Sequence, residues 1–134
     1  MIDPVMQPMA RIIICDDEPH ITRAVEVKLR KAGHEVVIGH NGAEALAAAR
    51  SRRPDLIVTD CQMPVMTGLE LCAAVLTDQN LSGTPVIMLT AKGLEISEED
   101  LRTHLGVRKL VFKPFSPRDL LQLVNDCTAT PTAA

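Results

Sequence analysis

Three carboxylates, a hydroxyl and an ammonium group follow apolar segments of this 134-residue chain: Asp16 and Asp17, Asp60, Thr90 (with Ala91 after it) and Lys113. Carboxylates about 5 Å apart repel one another by about 3 kcal/mol per pair at an effective dielectric near 20, so a cluster of them needs a cation. Oxygen ligands with room for water favour Mg²⁺ or Mn²⁺ over zinc. With such an ion and Lys113 the formal charges of the cluster sum to zero. A site of this kind could take an added phosphoryl group, whose oxygens need neutralising charges.

These residues can meet only if the segments before them form one sheet. Apolar, β-branched runs alternate with helical periodicity along the chain, which predicts strands over 11–15, 35–38, 56–59, 85–89 and 109–112. Near-continuous apolar strands alternating with helices indicate a parallel sheet that is covered on both faces. We therefore predict an α/β fold, a doubly wound five-stranded sheet of flavodoxin-like order 2-1-3-4-5. In that order strand two is an edge, and the carboxyl ends of the other four converge.

Each of these residues also has an ordinary structural interpretation. Asp17 could cap the first helix, which the pattern predicts to begin at Pro19 and to stop at Gly33. A lone lysine after a strand, such as Lys113, is usually solvated, and Thr90 could simply reflect the β propensity of threonine. Their joint placement at one end of the predicted sheet favours a functional site over these separate explanations.

Composition excludes several classes of function. Fourteen Lys and Arg against seventeen Asp and Glu, with two Phe and no Tyr or Trp, argue against a nucleic-acid-binding surface. Apolar runs are only a few residues long, and residues 1–10 lack the features of a signal peptide, so we expect a cytoplasmic protein without a membrane segment. The cysteines show no ligand spacing, so a redox or metal pair of Cys15 and Cys61 is the less favoured alternative to buried, reduced thiols.

Four motifs resemble those of one family, the receiver domains of two-component response regulators. They are Ile14–Pro19 (ICDDEP), Asp60–Glu70 (DCQMPVMTGLE), Leu89–Ala91 (LTA) and Phe112–Phe115 (FKPF). The resemblance spans about residues 11–126. It suggests a receiver domain over 11–127, an N-terminal extension over 1–10, and a flexible tail or linker stump over 128–134.

The resemblance implies that Asp60 is the phosphoacceptor for a phosphohistidine on a sensor histidine kinase or a histidine phosphotransfer protein. Asp17 and Asp60 would be direct Mg²⁺ ligands together with the backbone carbonyl of Gln62, and Asp16 would hold the ion through water. Self-dephosphorylation would then return the domain to its resting state.

Further roles follow for the other motif residues. Lys113 would pair with a phosphoryl oxygen, and its bond to Pro114 is expected to be cis. The Thr90 hydroxyl and the Ala91 amide would contact the phosphoryl group. Phosphorylation would then change the surface made by the fourth helix, fifth strand and fifth helix, which controls a downstream protein or an output domain.

Three positions bear on the switch and on the phosphoryl lifetime. Leu110 stands where the family often has a rotating aromatic residue, so an aliphatic side chain would have to replace that movement, coupled to Thr90 and the loop 92–96. Gln62 and Lys92 stand where the family tunes hydrolysis of the phosphoryl group.

Two other functions share part of this residue set. An Asp-nucleophile phosphatase of haloacid dehalogenase type would need a general acid at position 62, which is Gln. A flavodoxin-like cofactor carrier would need a phosphate-binding loop after the first strand, where Asp16 and Asp17 would instead repel a phosphate. Whether the chain is a stand-alone receiver or a fragment of a longer protein stays open.

Overall fold

The computed structural model describes residues 9–91 and 97–128. One sheet of five parallel strands has the order β2-β1-β3-β4-β5. The strands are β1 (Arg11–Cys15), β2 (Glu35–Gly39), β3 (Leu56–Asp60), β4 (Val86–Ala91) and β5 (Val107–Lys113). The helices are α1 (Pro19–Lys31), α2 (Gly42–Ser51), α3 (Gly68–Thr77), α4 (Glu98–Leu105) and α5 (Pro117–Thr128). The predicted fold class and strand order are confirmed.

The hydrophobic core lies on both faces of the sheet, because successive strand residues point to opposite sides. In β1, Ile12 and Ile14 pack in a cluster with residues of α1 and α5. Ile13 and Cys15 pack in a second cluster with residues of α2, α3 and α4. Strands covered on both sides must be apolar at nearly every position, as the sequence pattern indicated.

The strands extend further at their carboxyl ends than the apolar runs. Asp60 pairs in register with Leu89, and Ala91 pairs with Lys113. Asp60, Ala91 and Lys113 are therefore the last residues of their strands rather than the first residues of the following loops. Backbone pairing does not depend on the polarity of the side chain, so hydropathy alone places these boundaries too early.

Side chains cap the starts of helices α2 and α4. The Asn41 side chain accepts the Glu44 N–H, and the Ser97 side chain accepts the Asp100 N–H. Helix α1 is different, because its N-cap is Glu18, which makes no side-chain capping hydrogen bond. The interpretation of Asp17 as a helix cap is wrong, since the preceding strand and Pro19 place Glu18 at that position.

Several predictions concern residues outside the described ranges. They include Lys92 as a tuning residue, the loop 92–96 as part of the switch, and most of the N-terminal extension and C-terminal tail. Among the described helices, none combines the length and the apolar character that crossing a lipid bilayer requires.

Candidate functional site

Four carboxylates meet at the carboxyl ends of β1 and β3, which are neighbours in the sheet. Asp16, Asp17 and Glu18 follow β1 directly, and Asp60 ends β3. Each offers one oxygen atom, and these oxygens all lie within 4.8 Å of one another. The prediction that Asp16, Asp17 and Asp60 converge is confirmed, and Glu18 joins them.

The ammonium of Lys113 lies among these carboxylates. Its Nζ atom is 2.9 Å from Glu18 Oε1, 3.0 Å from Asp16 Oδ2 and 3.3 Å from Asp60 Oδ2. Burial alone would lower the pKa of Lys113, but its contacts with Glu18 and Asp16 outweigh burial and raise the pKa above the usual value. The same contact with Lys113 lowers the pKa of Glu18. The lysine is therefore held in its charged form.

Asp60 is buried, with 8% of its surface exposed. Its Oδ1 atom accepts a hydrogen bond from the Cys61 N–H at 2.9 Å. Burial, and then repulsion from Asp16, raise the pKa of Asp60, while Lys113 and the Cys61 amide act in the opposite direction. A partly desolvated carboxylate that is not fully neutralised is suited to bind a cation or to attack an electrophile.

The remaining motif residues line the same cavity. Asp17, Glu18, Asp60, Cys61, Gln62, Thr90, Ala91 and Lys113 surround a volume of about 260 Å³. Thr90 is buried, and among the described residues its hydroxyl makes one long contact of 3.4 Å, with the carbonyl of Ala91. The cavity thus brings a hydroxyl, an amide position and an ammonium to the Asp60 carboxylate. The Lys113–Pro114 bond is cis, as expected.

Leu110 lies outside this group. It is buried in the cluster that contains Leu101 of α4, and it pairs in register with Met88 rather than with Thr90. Its N–H donates a hydrogen bond to Glu98 Oε2 at 3.0 Å. Leu110 therefore connects β5 to α4 and is not among the residues that line the acidic cavity.

The backbone after Asp60 folds back closely on the strand end. A Cβ atom on Gly68 would lie 2.0 Å from the carbonyl oxygen of Asp60, so only glycine fits there. The Gly68 N–H donates to the Cys61 carbonyl at 3.0 Å, and Thr67 and Glu70 then form a reciprocal capping box at the start of α3. This close approach fixes the position of the Asp60 backbone.

The donor set fits a hard divalent cation. Asp16 Oδ2 is buried, and its polar contact among the described residues is the Lys113 ammonium at 3.0 Å, which Glu18 and Asp60 also contact. Four clustered carboxylates with one ammonium among them retain an excess of negative charge, and a site that offers oxygen ligands suits Mg²⁺.

The nearby thiols are poor ligands because burial keeps them protonated. Cys15 Sγ contacts Met63 Sδ at 3.3 Å inside the core, and burial raises the pKa of Cys15 to about 12. Burial also raises the pKa of Cys61.

Glu18 is the residue that the sequence analysis missed. It lies within the motif Ile14–Pro19, but the resemblance implies no role for it. The available signal was that a third carboxylate follows Asp16 and Asp17 immediately before Pro19, where a helix must begin. Nothing in the local pattern, however, indicates that its partner is Lys113, which is 95 residues away in the chain.

Comparison with known proteins identifies the family. The response regulator receiver domain family matches residues 12–125 of the chain. The DNA-binding response regulator MtrA of Mycolicibacterium smegmatis is 35% identical over 115 residues, which are 86% of this chain and 49% of that protein. The alkaline phosphatase synthesis transcriptional regulatory protein PhoP of Bacillus subtilis is 38% identical over 82% of this chain and 45% of its own length. The chain thus spans about half the length of these relatives.

Solved structures show the same fold. The chemotaxis protein CheY4 of Vibrio cholerae has 34% identity and a TM-score of 0.80, covering 89% of this chain and 98% of that chain. The receiver domain of the sensor histidine kinase PA1611 from Pseudomonas aeruginosa, which carries a magnesium ion in its active-site cleft, has 26% identity and a TM-score of 0.79 over 90% and 98% of the two chains. With its motifs, its strand order and its acidic cluster, the chain belongs to the receiver domains of two-component response regulators, which act in phosphorylation-dependent signalling.

Proposed function

We propose that Asp60 accepts the phosphoryl group in this receiver domain, from a phosphohistidine of a sensor histidine kinase or a histidine phosphotransfer protein. An Asp60 carboxylate oxygen would attack phosphorus and form an acyl phosphate, while the P–N bond to the donor breaks. The departing imidazole keeps the electron pair of that bond and takes up a proton. The observation that carries this proposal is the position of Asp60, buried at the strand end between the other carboxylates and the Lys113 ammonium.

A bound Mg²⁺ would belong to this reaction. Asp17, Asp60 and the backbone carbonyl of Gln62 would hold it directly, and Asp16 would hold it through water. When bound, the ion supplies positive charge that balances the clustered carboxylates and the phosphoryl oxygens. Asp17, Asp60 and Gln62 line one cavity, and the carboxylate of Asp16 belongs to the same cluster as those of Asp17 and Asp60. Both observations support this assignment.

The other polar groups of the cavity would bind the phosphoryl oxygens. Lys113 would give up a carboxylate contact and pair with a phosphoryl oxygen. The Thr90 hydroxyl, whose contact with the Ala91 carbonyl is long at 3.4 Å, would turn toward the phosphoryl group, with the Ala91 amide beside it. Gln62, and Lys92 outside the described residues, would tune the rate at which the domain loses its phosphoryl group by hydrolysis.

The signal would leave the domain through the surface formed by α4, β5 and α5. The hydrogen bond between Leu110 N–H and the Glu98 side chain links two elements of this surface. A movement of Thr90 at the end of β4 would reach it through the paired strand β5. Leu110 would repack where other receivers rotate an aromatic side chain.

The partners follow from the family and from the length of the relatives. We expect a histidine kinase or phosphotransfer donor in the cytoplasm, and a downstream protein or an output domain as the recipient of the signal. In this proposal the receiver unit spans residues 11–127 and is flanked by the segments 1–10 and 128–134. The alternative of a haloacid-dehalogenase-type phosphatase has no support, because position 62 is Gln and the family match is to receivers.

Phosphorylation by a small donor tests the assignment of Asp60. With acetyl phosphate and Mg²⁺, intact-protein mass spectrometry is expected to find one added phosphoryl group, which hydroxylamine releases as expected for an acyl phosphate. Asp60→Asn should gain none, whereas Asp126→Asn on the exposed side of α5 should behave like the wild type. Equal labelling of Asp60→Asn and the wild type would exclude Asp60 as the acceptor.

A further inference from the structure

We propose that Glu18 is a positioning residue that holds the Lys113 ammonium toward the start of α1, and that this contact must loosen before the ammonium can reach a phosphoryl oxygen on Asp60. The inference rests on the proposed role of Asp60 as phosphoacceptor. Glu18 is not one of the proposed metal ligands or phosphoryl contacts, and its contact with Lys113 is expected to slow phosphorylation.

The contacts of Lys113 are unequal. Its shortest carboxylate contact is the hydrogen bond to Glu18 Oε1 at 2.9 Å, and its longest is the contact with Asp60 Oδ2 at 3.3 Å. The ammonium is thus drawn toward the start of α1 and away from the proposed acceptor. A cation that attracts Asp16 and Asp60 would leave Glu18 as the remaining partner of Lys113.

The backbone fixes Glu18 in this role. Its N–H donates to Asp16 Oδ1 at 2.9 Å, and its carbonyl accepts from Ile21 and Thr22 in the first turn of α1. Its side chain makes no capping hydrogen bond to the helix and reaches across to Lys113 instead. An N-cap side chain normally accepts hydrogen bonds from helix N–H groups. The Glu18 carboxylate accepts from Lys113 instead.

Of the three carboxylates around Lys113, only that of Glu18 can leave easily. Its side chain is 44% exposed, against 0% for Asp16 and 11% for Asp60. Glu18 and Lys113 also line a second, larger cavity of about 510 Å³ between α1 and the segment that follows β5. Their ion pair therefore lies between two cavities, and the released carboxylate has open space beside it.

Two substitutions distinguish the effect of the negative charge of Glu18 from the effect of its side-chain length. Glu18→Gln removes one of four carboxylates, so we expect Mg²⁺ to bind about 2- to 5-fold more weakly, as for loss of a partly exposed charge interaction. The rate of phosphorylation by acetyl phosphate at saturating Mg²⁺ should rise by about the same factor, because Lys113 is freed and the anionic donor meets less negative charge. Glu18→Asp keeps the charge but is shorter, so it should raise the rate while Mg²⁺ affinity stays close to wild type.

A matched control is Glu26→Gln, which removes the same charge from the outer side of α1, where Glu26 pairs with Arg30. It should change neither quantity. Calorimetric titration with Mg²⁺ gives the affinity, and mass spectrometry gives the rate. In the metal-free protein, the side-chain ammonium NMR signal of Lys113 should shift in both Glu18 variants and stay unchanged in Glu26→Gln.

An unchanged or slower phosphorylation rate in both Glu18 variants would overturn the inference, as would an unchanged Lys113 signal. If the wild type itself accepts no phosphoryl group, the proposed function fails, and the Lys113 signal still decides whether Glu18 holds the ammonium.

Discussion

At the amino-terminal ends of β1 and β2, the guanidinium groups of Arg11 and Arg52 both contact Glu35. Asp55, just before β3, accepts the backbone N–H of Arg11 at 2.7 Å. At the opposite ends of β1 and β3, four carboxylates cluster among residues 9–91 and 97–128, and three of them contact the single ammonium of Lys113. At one end two guanidinium groups share Glu35, and Asp55 accepts a backbone N–H, so two positive and two negative charges balance. At the other end a single ammonium stands against a cluster of four carboxylates.

This difference separates structural charges from functional ones. Matched ion pairs with hydrogen bonds satisfy each other and join the strands at their starts. Unmatched carboxylates repel one another, so the acidic end lowers the stability of the protein until a cation arrives. The raised pKa of Asp60, caused by burial and then by Asp16, is the physical sign of that imbalance.

The largest effect is expected from the backbone that holds the acidic end in place. Gly68→Ala should destabilise the protein by about 3 kcal/mol or more, because the new methyl group would overlap the Asp60 carbonyl and must push the strand end away. The free energy of unfolding in urea measures this. Gly106→Ala, at the other end of the sheet, meets no atom closer than 3.8 Å and should lose only about 1–2 kcal/mol for its left-handed backbone. Equal losses would show that the close approach at Gly68 is relieved elsewhere.

Breaking the matched end should have the next largest effect. Glu35→Gln leaves Arg11, whose side chain is 12% exposed, and Arg52 without their shared carboxylate. We expect a loss of about 1–2 kcal/mol, between the values typical of exposed and buried pairs. The loss should be the same with and without Mg²⁺, as measured by urea unfolding. A loss that depends on Mg²⁺ would mean that the two ends are coupled.

Neutralising the unmatched end should give a smaller effect of opposite sign. Without metal, Asp60→Asn should stabilise the protein by on the order of 1 kcal/mol, because an ionised carboxylate with a raised pKa carries a cost in the folded state. In the wild type, Mg²⁺ at ten times its Kd should add about 1.4 kcal/mol, and the variant should gain less. Thermal unfolding in EDTA and in Mg²⁺ measures both. A metal-free variant less stable than the wild type would contradict the comparison.

The difference in stability between Asp60→Asn and the wild type should depend on pH. Since the folded-state pKa of Asp60 lies above its ordinary value, the cost is present above the folded-state pKa and disappears once pH falls below the ordinary value. The stability advantage of Asp60→Asn should therefore shrink as pH falls through that window. An advantage that grows toward low pH would mean that another group is responsible.

Much of this architecture could be predicted from the sequence. Continuous β-branched runs such as Ile12–Ile14 specify buried parallel strands. The strand order then brings Asp16, Asp60 and Lys113 together at the carboxyl ends of the strands. The contact between Glu18 and Lys113 could not be predicted, because it depends on where one flexible side chain goes relative to a residue far away in the chain. The close approach at Gly68 was equally hidden, since a glycine letter does not say which atom lies beside it.

On each edge strand of the sheet, β2 and β5, a side chain from an adjacent helix forms a hydrogen bond with a backbone group. Arg30 of α1 donates to the Val36 carbonyl of β2 at 2.7 Å, and Glu98 of α4 accepts from the Leu110 N–H of β5. Exposed strand margins are templates on which other chains can add strands and aggregate. These two side chains each occupy one backbone group that an added strand would need, so strand addition at either edge would first have to break a hydrogen bond to a helix.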